Sequence, residues 1–365
     1  MLTALALARR GLGRVSPNPA VGCVVLDSEG GVAGRGWTQP GGRPHAETEA
    51  LSRAGDAARG GTAYVSFEPC AHRGETGPCA DALVAAGISR AVIATEDPDP
   101  RVSGAGIARL QDAGIEVRVG VGRRDAERLN AGFLLRITQG RPLVTLKCAT
   151  TLDGRIATHS GESQWITGEV ARAWGHGLRA SHDAVLTGAA TVRSDDPELT
   201  CRLPGMAAHT PLRVVLDSRL TTPLTAKLVR TARERPTWLV TVKDAPEDRR
   251  AAFVDCGVEV IEVAADDGGR PDAKAALAAL ARRGVTRVLA EGGGQMAATL
   301  FRAGMVDRIA WFRAPAVIGG DGVPVAEGFG VDSLDRMARF ERRRGFAAGG
   351  DTLEIFERVG GAQRH

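Results

Sequence analysis

One histidine, one glutamate and two cysteines within residues 45–79 have the types and the order of a catalytic metal site. Glu47 lies two residues after His45, and Cys70 and Cys79 each follow a proline. An imidazole and two thiolates are ligands that zinc prefers, and three protein ligands leave the fourth tetrahedral position to water. Bound zinc lowers the pKa of that water toward neutrality, so a hydroxide nucleophile is available. We therefore predict a zinc site with His45, Cys70 and Cys79 as ligands.

Glu47 is expected to move protons rather than to bind the metal. It is too close in sequence to His45 to be a second ligand, but it is well placed to reach a water beside the metal. The order H-x-E, then Pro-Cys and a second cysteine, is the signature of zinc nucleobase deaminases. Here eight residues separate Cys70 and Cys79, where the commonest form has two. Each residue alone has an ordinary alternative, a surface or core histidine or a small buried cysteine, but together they favour a deaminase site.

A further candidate lies upstream, where Asn18 stands between Pro17 and Pro19. Asparagine is a common turn former, so the turn alone would explain it. Because prolines restrict the backbone on both sides, the side chain could equally be held for hydrogen bonding to the edge of a base. The residues leave both interpretations open.

The composition is that of an ordinary globular protein large enough for two domains. The chain has 365 residues, of which 43% are hydrophobic and 25% charged, so neither disorder nor low complexity is indicated. A net charge of +4 suits an anionic small substrate or cofactor as well as it suits nucleic acid. Aromatic residues make up only 4%, and no basic stripe with stacking residues is present, which argues against a nucleic-acid partner.

The cysteines and the N-terminal stretch indicate a cytoplasmic protein. The apolar residues 2–8 are too short a run for a signal sequence or a membrane span, so no membrane association is expected. Six cysteines without paired spacing favour a reducing compartment over a disulfide framework. Four of them are interpreted as packing residues: Cys23, Cys148, Cys201 and Cys256.

Alternating strands and helices must position the predicted zinc ligands. His45 and Glu47 fall at the first turn of a predicted helix, Cys70 follows a strand, and Cys79 begins another helix, so the thiolates lie near a positive helix end. The alternation predicts a three-layer α/β domain. The predicted strands are residues 23–26, 32–37, 64–67, 91–94 and 116–119, and the predicted helices are residues 2–10, 46–53, 79–86, 104–113 and 124–138.

The sequence Gln-Gly-Arg-Pro at residues 139–142 predicts a domain boundary, because a helix ends there and an apolar strand follows. We expect a first domain of residues 1–140 and a second of residues 141–365. The second domain also alternates, which predicts another α/β domain with a larger sheet whose last strands could pair antiparallel. Its predicted strands are residues 143–148, 184–186, 213–216, 237–242, 258–263, 287–289, 308–312 and 352–356, and its predicted helices are residues 168–180, 272–283 and 295–303.

A glycine-rich turn, Glu291-Gly292-Gly293-Gly294, lies between a predicted strand and a predicted helix. Such a turn presents backbone N–H groups to a pyrophosphate at the helix N-terminus. It lacks the G-x-G-x-x-G spacing of a Rossmann fingerprint, so alone it is better explained as a tight turn. Three polar clusters, at residues 151–155, 161–166 and 195–202, favour a ligand site, although each alone could be a hairpin turn, a surface loop or a helix cap.

Taken together, these motifs resemble those of the bifunctional riboflavin-biosynthesis enzymes, in which a pyrimidine deaminase is fused to a reductase. The match extends over nearly the whole chain in one order. In the first domain it rests on Pro17-Asn18-Pro19-x-Val21-Gly22, Pro44-His45-Ala46-Glu47, Glu68-Pro69-Cys70-x-His72 and Pro78-Cys79. In the second it rests on Leu152-Asp153-Gly154-Arg155, Gly161-Glu162-Ser163-Gln164-Trp165-Ile166-Thr167, Ala190-Thr191-Val192, Asp195-Asp196-Pro197 and Glu291-Gly292-Gly293.

The resemblance implies an α/β fold with two activities. A cytidine-deaminase-like domain would be followed by a dihydrofolate-reductase-like domain. The first would use one zinc per chain to deaminate 2,5-diamino-6-(5-phosphoribosylamino)pyrimidin-4-one hydrolytically. The second would use NADPH to reduce the ribosyl group of 5-amino-6-(5-phosphoribosylamino)uracil to ribityl. The resemblance further implies a cytoplasmic enzyme of small-molecule substrates, without nucleic-acid or membrane partners, that forms a homo-oligomer through the reductase domain.

The resemblance also implies roles for site residues. In the deaminase, Glu47 would be catalytic, the three predicted ligands would bind zinc, and Asn18 would contact the substrate. Ser218 with Arg219, which follow a predicted strand, could hold a 2′-phosphate, although a surface arginine is the better explanation of Arg219. The reductase substrate contacts would be Ser163, Arg179, Leu199, Arg202 and Glu291, of which the two arginines suit a phosphate because a guanidinium grips it bidentately. The nucleotide contacts would be Ala149, Trp165, Thr191, Asp195, Ser218, Gly293, Gly294, Gln295, Met296, Ala297, Ala298 and Thr299.

The chain departs from the family pattern at a few positions. Thr38 stands where many members carry a histidine, a presumed deaminase substrate contact. Ala71 and Arg73 stand where a serine and a second histidine are usual, and the first helix looks a few residues short. Two rival functions are therefore kept: a reductase whose deaminase half is impaired, and a nucleic-acid deaminase with an appended domain.

Overall fold

The computed structural model describes residues 1–71, 77–99 and 102–359, and the chain divides into two compact units, residues 1–141 and residues 142 onward. His72 of the deaminase pattern lies outside the described residues. Each unit contains a large sheet, of five strands in the first unit and nine in the second. Among the described residues, no helix combines the length and the apolar character needed to cross a membrane.

The first unit is a mixed sheet with helices packed against it. The strand order is β2-β1-β3-β4-β5; β1 is antiparallel to both of its neighbours, and the last three strands are parallel. The strands are β1 (Gly22–Leu26), β2 (Val32–Trp37), β3 (Thr62–Val65), β4 (Arg90–Ile93) and β5 (Glu116–Val119). The helices are α1 (Leu2–Ala8), α2 (Ala46–Ala54), α3 (Cys79–Ala85), α4 (Ala105–Asp112), α5 (Arg123–Leu129) and α6 (Ala131–Gln139).

Two glycines in β2 allow α2 to pack directly on the sheet. A Cβ added at Gly34 would lie 2.1 Å from the carbonyl oxygen of Ala50, and one added at Gly36 would lie 2.2 Å from that of Ala46. Because real Cβ atoms do not approach an oxygen so closely, only glycine permits this spacing. Since α2 begins at the residue after His45, its close packing determines where the first predicted ligand lies.

The prediction of one helix over residues 124–138 is wrong. Two helices, α5 and α6, are separated at Asn130, whose backbone is not helical. The buried amide of Asn130 accepts a hydrogen bond from the N–H of Ala20 at 2.9 Å and donates one to its carbonyl oxygen at 3.0 Å. The break allows this amide to bond to a residue 110 positions away in sequence. The periodicity of apolar residues along a helix cannot predict such a distant contact.

The second unit has a nine-stranded sheet in the order β11-β10-β9-β8-β12-β6-β13-β16-β15. Seven strands are parallel, and the last two are antiparallel, which confirms the expected larger sheet with antiparallel late strands. The strands are β6 (Leu143–Thr150), β7 (Arg155–Ala157), β8 (Ala184–Gly188), β9 (Leu212–Leu216), β10 (Thr237–Val242), β11 (Glu259–Val263), β12 (Arg287–Ala290), β13 (Arg308–Arg313), β14 (Val323–Pro324), β15 (Phe340–Ala348) and β16 (Asp351–Arg358). The helices are α7 (Glu169–Ala180), α8 (Ala189–Asp195), α9 (Lys227–Arg230), α10 (Glu247–Asp255), α11 (Ala273–Arg282) and α12 (Gly294–Arg302).

The edge strand β15 was not predicted, because four of its nine residues are charged and most are exposed, so no apolar pattern marks it. Arg342 pairs with Glu354 at 3.1 Å, and Arg343 pairs with Glu357 at 3.1 Å, both across to β16. Charged side chains and a bulge are common on edge strands, where they discourage pairing with another sheet. The helices α8, α9 and α10 and the short strands β7 and β14 were also missed. Helix α10 was missed because its sequence is predominantly polar.

The close approach of α2 to β2 gives a test of the fold. Gly36→Ala should destabilise the first unit by about 1–3 kcal/mol, because the added methyl group overpacks a helix–sheet contact. Unfolding in urea followed by fluorescence of Trp37, the tryptophan of residues 1–141, would measure the change. Gly345→Ala in β15 is the matched control, since an added Cβ there meets nothing within 4 Å. Equal stability of both variants and the wild type would contradict this account of the glycine.

Candidate functional site

The three predicted zinc ligands come together in the first unit from separate elements. His45 immediately precedes α2, Cys70 follows β3 by five residues, and Cys79 is the first residue of α3. The Nδ1 atom of His45 lies 3.2 Å from the Sγ of Cys79 and 3.6 Å from the Sγ of Cys70. The three ligand atoms all lie within 4.8 Å of one another.

This donor set fits zinc. Zn–S bonds of about 2.3 Å and Zn–N bonds of about 2.0 Å at tetrahedral angles separate the ligand atoms by about 3.5–3.8 Å. The two separations from His45, 3.2 and 3.6 Å, are close to that spacing, and the two sulfur atoms lie within 4.8 Å of each other. The thiol and the backbone N–H of Cys79 donate hydrogen bonds to the sulfur of Cys70 and lower the pKa of Cys70 to about 4, while the same thiol contact raises the pKa of Cys79. The pair is therefore suited to a metal that displaces the shared proton.

Glu47 lies at this cluster with its side chain removed from water. It occupies the first turn of α2 and is 3% exposed. Burial raises the pKa of Glu47 to about 7, and this effect outweighs the lowering by its own backbone hydrogen bond and by the charge of His45. A carboxyl group with such a pKa can both accept and release a proton near neutral pH. The site therefore combines three metal ligands with one group able to transfer protons.

Glu68 is a second buried carboxylate beside the ligands, and its role was not predicted. Its Oε2 accepts hydrogen bonds from the N–H groups of Asp97 and Gly104, and its Oε1 accepts from those of Gly106 and Ile107. A Cβ at Gly106 would lie only 1.9 Å from the carbonyl oxygen of the residue after Glu68. These contacts attach the start of α4 to the segment that carries Cys70.

Asn18 lies near the histidine ligand, whereas Thr38 faces the interior. The amide nitrogen of Asn18 donates a hydrogen bond at 3.0 Å to the carbonyl oxygen of Gly42, three residues before His45. Thr38 is 2% exposed, and its hydroxyl accepts a hydrogen bond from the N–H of Val21 at 3.0 Å. The threonine is thus bonded to backbone.

A separate cavity of about 670 Å³ lies in the second unit, where β8 and β12 end beside β6. Ligands of parallel α/β sheets bind at the carboxyl ends of the strands. The structure brings all five predicted substrate contacts to this cavity: Ser163, Arg179, Leu199, Arg202 and Glu291. It also places six predicted nucleotide contacts there: Ala149, Trp165, Thr191, Asp195, Gly293 and Ala297.

Six other predicted nucleotide contacts are absent from the lining of this cavity: Ser218, Gly294, Gln295, Met296, Ala298 and Thr299. Met296 and Ala298 are buried on α12, and Gly294 lies so close to the carbonyl oxygen of Pro324 that an added Cβ would be 2.7 Å away. Ser218 follows β9, and its carbonyl oxygen accepts a hydrogen bond from Thr241. The segment predicted to contact the nucleotide, residues 293–299, therefore continues into the buried face of α12.

Arg179 and Glu291 form a bidentate ion pair in the cavity. The guanidinium donates from Nε to Oε1 at 2.7 Å and from Nη2 to Oε2 at 3.0 Å, and its Nη1 donates to the carbonyl oxygen of Thr200 at 3.0 Å. Burial alone would raise the pKa of Glu291, but the charge and hydrogen bonds of Arg179 outweigh it and lower the pKa to about 2. Glu291 is therefore an anion at neutral pH. The guanidinium nitrogens of Arg179 are already hydrogen-bonded to Glu291 and to the backbone of Thr200.

The mouth of the cavity is formed by Trp165 and the glycine turn. Trp165 is 66% exposed, and the guanidinium carbon of Arg172 lies 4.6 Å from the centre of its ring. Gly293 precedes α12 with an extended backbone, and an added Cβ would meet nothing within 4 Å. The space in front of Gly293 is therefore open to a ligand.

The comparisons with known proteins agree in both units. A family described as "RibD C-terminal domain" matches residues 142–351, and one described as "Cytidine and deoxycytidylate deaminase zinc-binding region" matches residues 1–95. The riboflavin biosynthesis protein RibD of Bacillus amyloliquefaciens is 42% identical over 335 residues, which cover 92% of this chain and 89% of that protein. The chain belongs to the RibD family. RibD of Aquifex aeolicus is 39% identical over 98% of this chain and 97% of its own length.

Solved RibD structures have the same fold. Acinetobacter baumannii RibD superposes with a TM-score of 0.87 at 35% identity, covering 98% of each chain. A deaminase/reductase from Thermotoga maritima superposes with a TM-score of 0.85 at 33% identity, covering 98% of this chain and 97% of that one. The predicted fold class, the riboflavin-biosynthesis function with a deaminase and a reductase domain, and zinc and NADPH as cofactors are confirmed. The nucleic-acid deaminase alternative is thereby excluded.

Two cavity residues of this RibD chain were not predicted, although the sequence contains a signal for each. Lys147 is the one charged residue of β6, and its charge contributes to the low pKa of Glu291. His176 lies one helical turn before Arg179 on α7, and its Nδ1 is 3.1 Å from the carbonyl oxygen of Thr200. The signal for Lys147 is a charge within an otherwise apolar strand. The signal for His176 is its spacing of three residues from Arg179, which places both side chains on the same face of α7.

The cysteines test the metal site directly. Purified protein should hold about one zinc per chain, and Cys70→Ala and Cys79→Ala should each lose most of it, because two protein ligands bind zinc far more weakly than three. Plasma emission spectrometry of the dialysed proteins would measure the content. Cys148→Ala is the control, since this buried cysteine lies in the other unit. Full zinc retention in both ligand variants would exclude the assignment.

Proposed function

We propose that this chain catalyses two consecutive steps of riboflavin biosynthesis. The first unit would deaminate 2,5-diamino-6-(5-phosphoribosylamino)pyrimidin-4-one, and the second would reduce the ribosyl group of 5-amino-6-(5-phosphoribosylamino)uracil to ribityl. The Thermotoga maritima relative is described with these two activities, as a diaminohydroxyphosphoribosylaminopyrimidine deaminase and a 5-amino-6-(5-phosphoribosylamino)uracil reductase. The observation that carries the deaminase proposal is the convergence of His45, Cys70 and Cys79 beside the buried Glu47.

In the deaminase, we assign proton transfer to Glu47 and substrate orientation to Asn18. Zinc, when bound by the three ligands, would act as a Lewis acid and lower the pKa of a water molecule toward neutrality. Glu47 would take a proton on its carboxylate and release it to the departing amine, which its pKa near neutrality permits. The amide nitrogen of Asn18 is bonded to Gly42, so its Oδ1 is the atom left to accept a hydrogen bond from a pyrimidine amino group.

In the reductase, we assign phosphate binding chiefly to Arg202 and ribose contacts to Lys147 and Glu291. NADPH, when bound, supplies the hydride. Arg202 lies at the cavity with its side chain 55% exposed, and its ion pair with Glu198 is long, at 3.5 Å, and exposed. Because such a surface pair is weak, the guanidinium can exchange it for an incoming phosphate. Glu291 and Lys147 provide an anion and a cation for hydroxyl and carbonyl groups of the opened sugar. Ser163, Leu199 and the engaged Arg179 complete the substrate wall in this proposal.

The nucleotide would lie between Trp165 and the turn before α12. The exposed ring of Trp165 offers a surface for stacking, and the N-terminus of α12 offers backbone N–H groups to a pyrophosphate. Ala149, Thr191, Asp195 and the α12 residues remain proposed contacts, including those that do not line the cavity. Ser218 would contact the adenosine end of NADPH.

We further propose a cytoplasmic homo-oligomer that associates through the reductase domain. The six cysteines form no disulfide with one another, which supports a reducing compartment. On α7, the neighbouring Val170 and Trp174 are 49% and 43% exposed, and Trp174 stacks on Phe346 of β15 at 5.4 Å. An exposed apolar group of this kind is typical of protein contacts. Sedimentation equilibrium would test it, and a monomer at micromolar concentration would exclude it.

The two reactions should be separable by a change at Glu47. Glu47→Gln keeps the size of the side chain but cannot accept a proton, and general acid–base groups contribute about 10²–10⁴ in rate. Deamination should therefore fall at least about 10²-fold, with zinc retained, because Glu47 is not a ligand. Reduction of the already deaminated substrate should continue near the wild-type rate.

The assay is NADPH oxidation by the variant, started once with the deaminated and once with the undeaminated substrate. Success with the first and failure with the second supports the proposal. Wild-type rates with both would remove Glu47 from the mechanism. Wild-type protein that reduces but never deaminates would favour the remaining rival, a reductase with an impaired deaminase half.

The glycine turn gives a test of the nucleotide site. Gly293→Val should raise the KM for NADPH at least about tenfold, because the side chain would project into space that a phosphate would otherwise occupy. The fold should tolerate it, since the backbone is extended and an added Cβ meets nothing within 4 Å. Gly177→Val on α7 is a control for the substitution itself, because this glycine is not in the cavity lining and an added Cβ there also meets nothing within 4 Å. An unchanged KM for NADPH would show that the loop is only a turn.

A further inference from the structure

The turn that carries Asn18 is held by side chains from three distant segments. Buried side chains form hydrogen bonds with the backbone of four consecutive residues of this turn. The bonded groups are the carbonyl oxygen of Pro19, the N–H and carbonyl oxygen of Ala20, and the N–H groups of Val21 and Gly22. A turn former at the surface needs no such support, because water can satisfy its backbone. The number of buried partners indicates that the geometry of this turn is under constraint.

Thr38 supplies two of these contacts through one hydroxyl group. Its Oγ1 accepts from the N–H of Val21 at 3.0 Å and lies 3.3 Å from the carbonyl oxygen of Pro19, to which it can donate. Its own backbone N–H donates to the carbonyl oxygen of Val21 at 2.9 Å. The side chain is 2% exposed, so its hydroxyl is satisfied by the turn and turned away from solvent.

Asn130 and Ser66 hold the next residues. The amide of Asn130, 3% exposed, forms both hydrogen bonds to the backbone of Ala20, at 2.9 and 3.0 Å. The hydroxyl of Ser66, 1% exposed, accepts from the N–H of Gly22 at 2.9 Å. Ser66 lies four residues before the ligand Cys70 on the same segment, so the turn is tied to the chain that supplies a thiolate.

The turn is also tied to the histidine ligand through Asn18 itself. The amide nitrogen of Asn18 bonds to Gly42, and a Cβ at Gly42 would lie 2.0 Å from that nitrogen. Gly42 has a φ of +86°, which a residue with a Cβ rarely adopts. The Asn18 side chain is therefore in direct contact with the segment that precedes His45, and the backbone of its turn is held by Thr38 and Asn130.

We infer that Thr38 and Asn130 are positioning residues for deamination, which act by holding Asn18 in the orientation that receives the pyrimidine. The inference rests on the proposed function of the first unit. In this inference Thr38 does not touch the substrate, because its hydroxyl is bonded to the backbone of the turn. A small displacement of a substrate-orienting group can lower catalysis by up to about 10²-fold.

A purely structural role would predict a different pattern. Loss of a buried hydrogen bond would then lower the melting temperature and leave the kinetic constants of the folded enzyme unchanged. A positioning role instead predicts a higher KM for the deaminase substrate in fully folded, zinc-loaded protein. The two can be separated by variants at Thr38 that keep or remove the hydroxyl at nearly constant volume.

The experiment compares Thr38→Val, which removes only the hydroxyl, with Thr38→Ser, which retains it. Thr38→Val should raise the KM for the diaminopyrimidinone phosphate about tenfold, with zinc content and reduction of the deaminated substrate unchanged. Thr38→Ser should recover most of the loss. Asn130→Asp, which places an oxygen against the carbonyl of Ala20, should raise the same KM and serves as the second variant if Thr38→Val does not fold.

A double-mutant cycle with Asn18→Ala then asks whether Thr38 acts through Asn18. If it does, Thr38→Val should add little to the KM of Asn18→Ala, because the group it positions is already gone. Additive effects, or equal KM values for Thr38→Val, Thr38→Ser and wild type, would overturn the inference. Wild-type protein that reduces but does not deaminate would instead refute the proposed deaminase function, and the two failures are thereby distinguished.

Discussion

A carboxylate removed from water must be hydrogen-bonded, paired with a cation or protonated, and this constraint organises both sites. Glu47 and Glu68 in the first unit are 3% and 5% exposed, and the side chain of Glu291 in the second is 12% exposed. Each is stabilised in a different way. Glu68 accepts four backbone N–H groups, Glu291 is paired with Arg179, and for Glu47 burial prevails and raises its pKa.

The environments of Glu47 and Glu291 suit two different tasks. A carboxyl group with a pKa of about 7 can exchange protons, whereas one with a pKa of about 2 remains an anion throughout the physiological range. Glu47 is therefore suited to acid–base chemistry, and Glu291 to fixed electrostatics. The pairing of Glu291 also changes the interpretation of the two arginines, which the sequence treats as equivalent. Arg179 is committed to Glu291 and Thr200, whereas Arg202 has only a longer contact of 3.5 Å with Glu198 at the surface.

The sequence predicts what depends on local order and misses what depends on distant contacts. The alternation of apolar strands with helices was sufficient for the fold class, and the spacing of His45, Glu47 and the two cysteines was sufficient to recognise a deaminase pattern. The break between α5 and α6 was missed because Asn130 is bound to Ala20, far away in the chain. The exposed strand β15 was missed because its pairing with β16, and not an apolar pattern, makes it a strand. Likewise, nothing local distinguishes Gly293, which faces the cavity, from Gly294, which faces a packed carbonyl.

Thr38 shows where a resemblance between sequences stops being informative about a residue. The family pattern indicates which position is occupied differently, but whether that position can touch a substrate depends on burial and on hydrogen-bond partners. Here the hydroxyl is bonded to the turn that carries Asn18, and the three predicted zinc ligands of the same unit lie within 4.8 Å of one another. A histidine that is absent from this position is therefore not by itself a sign of an impaired deaminase, because the threonine that replaces it takes part in supporting the neighbouring contact. The same reasoning applies to Arg179, where a side chain at a family substrate position is engaged with the protein itself.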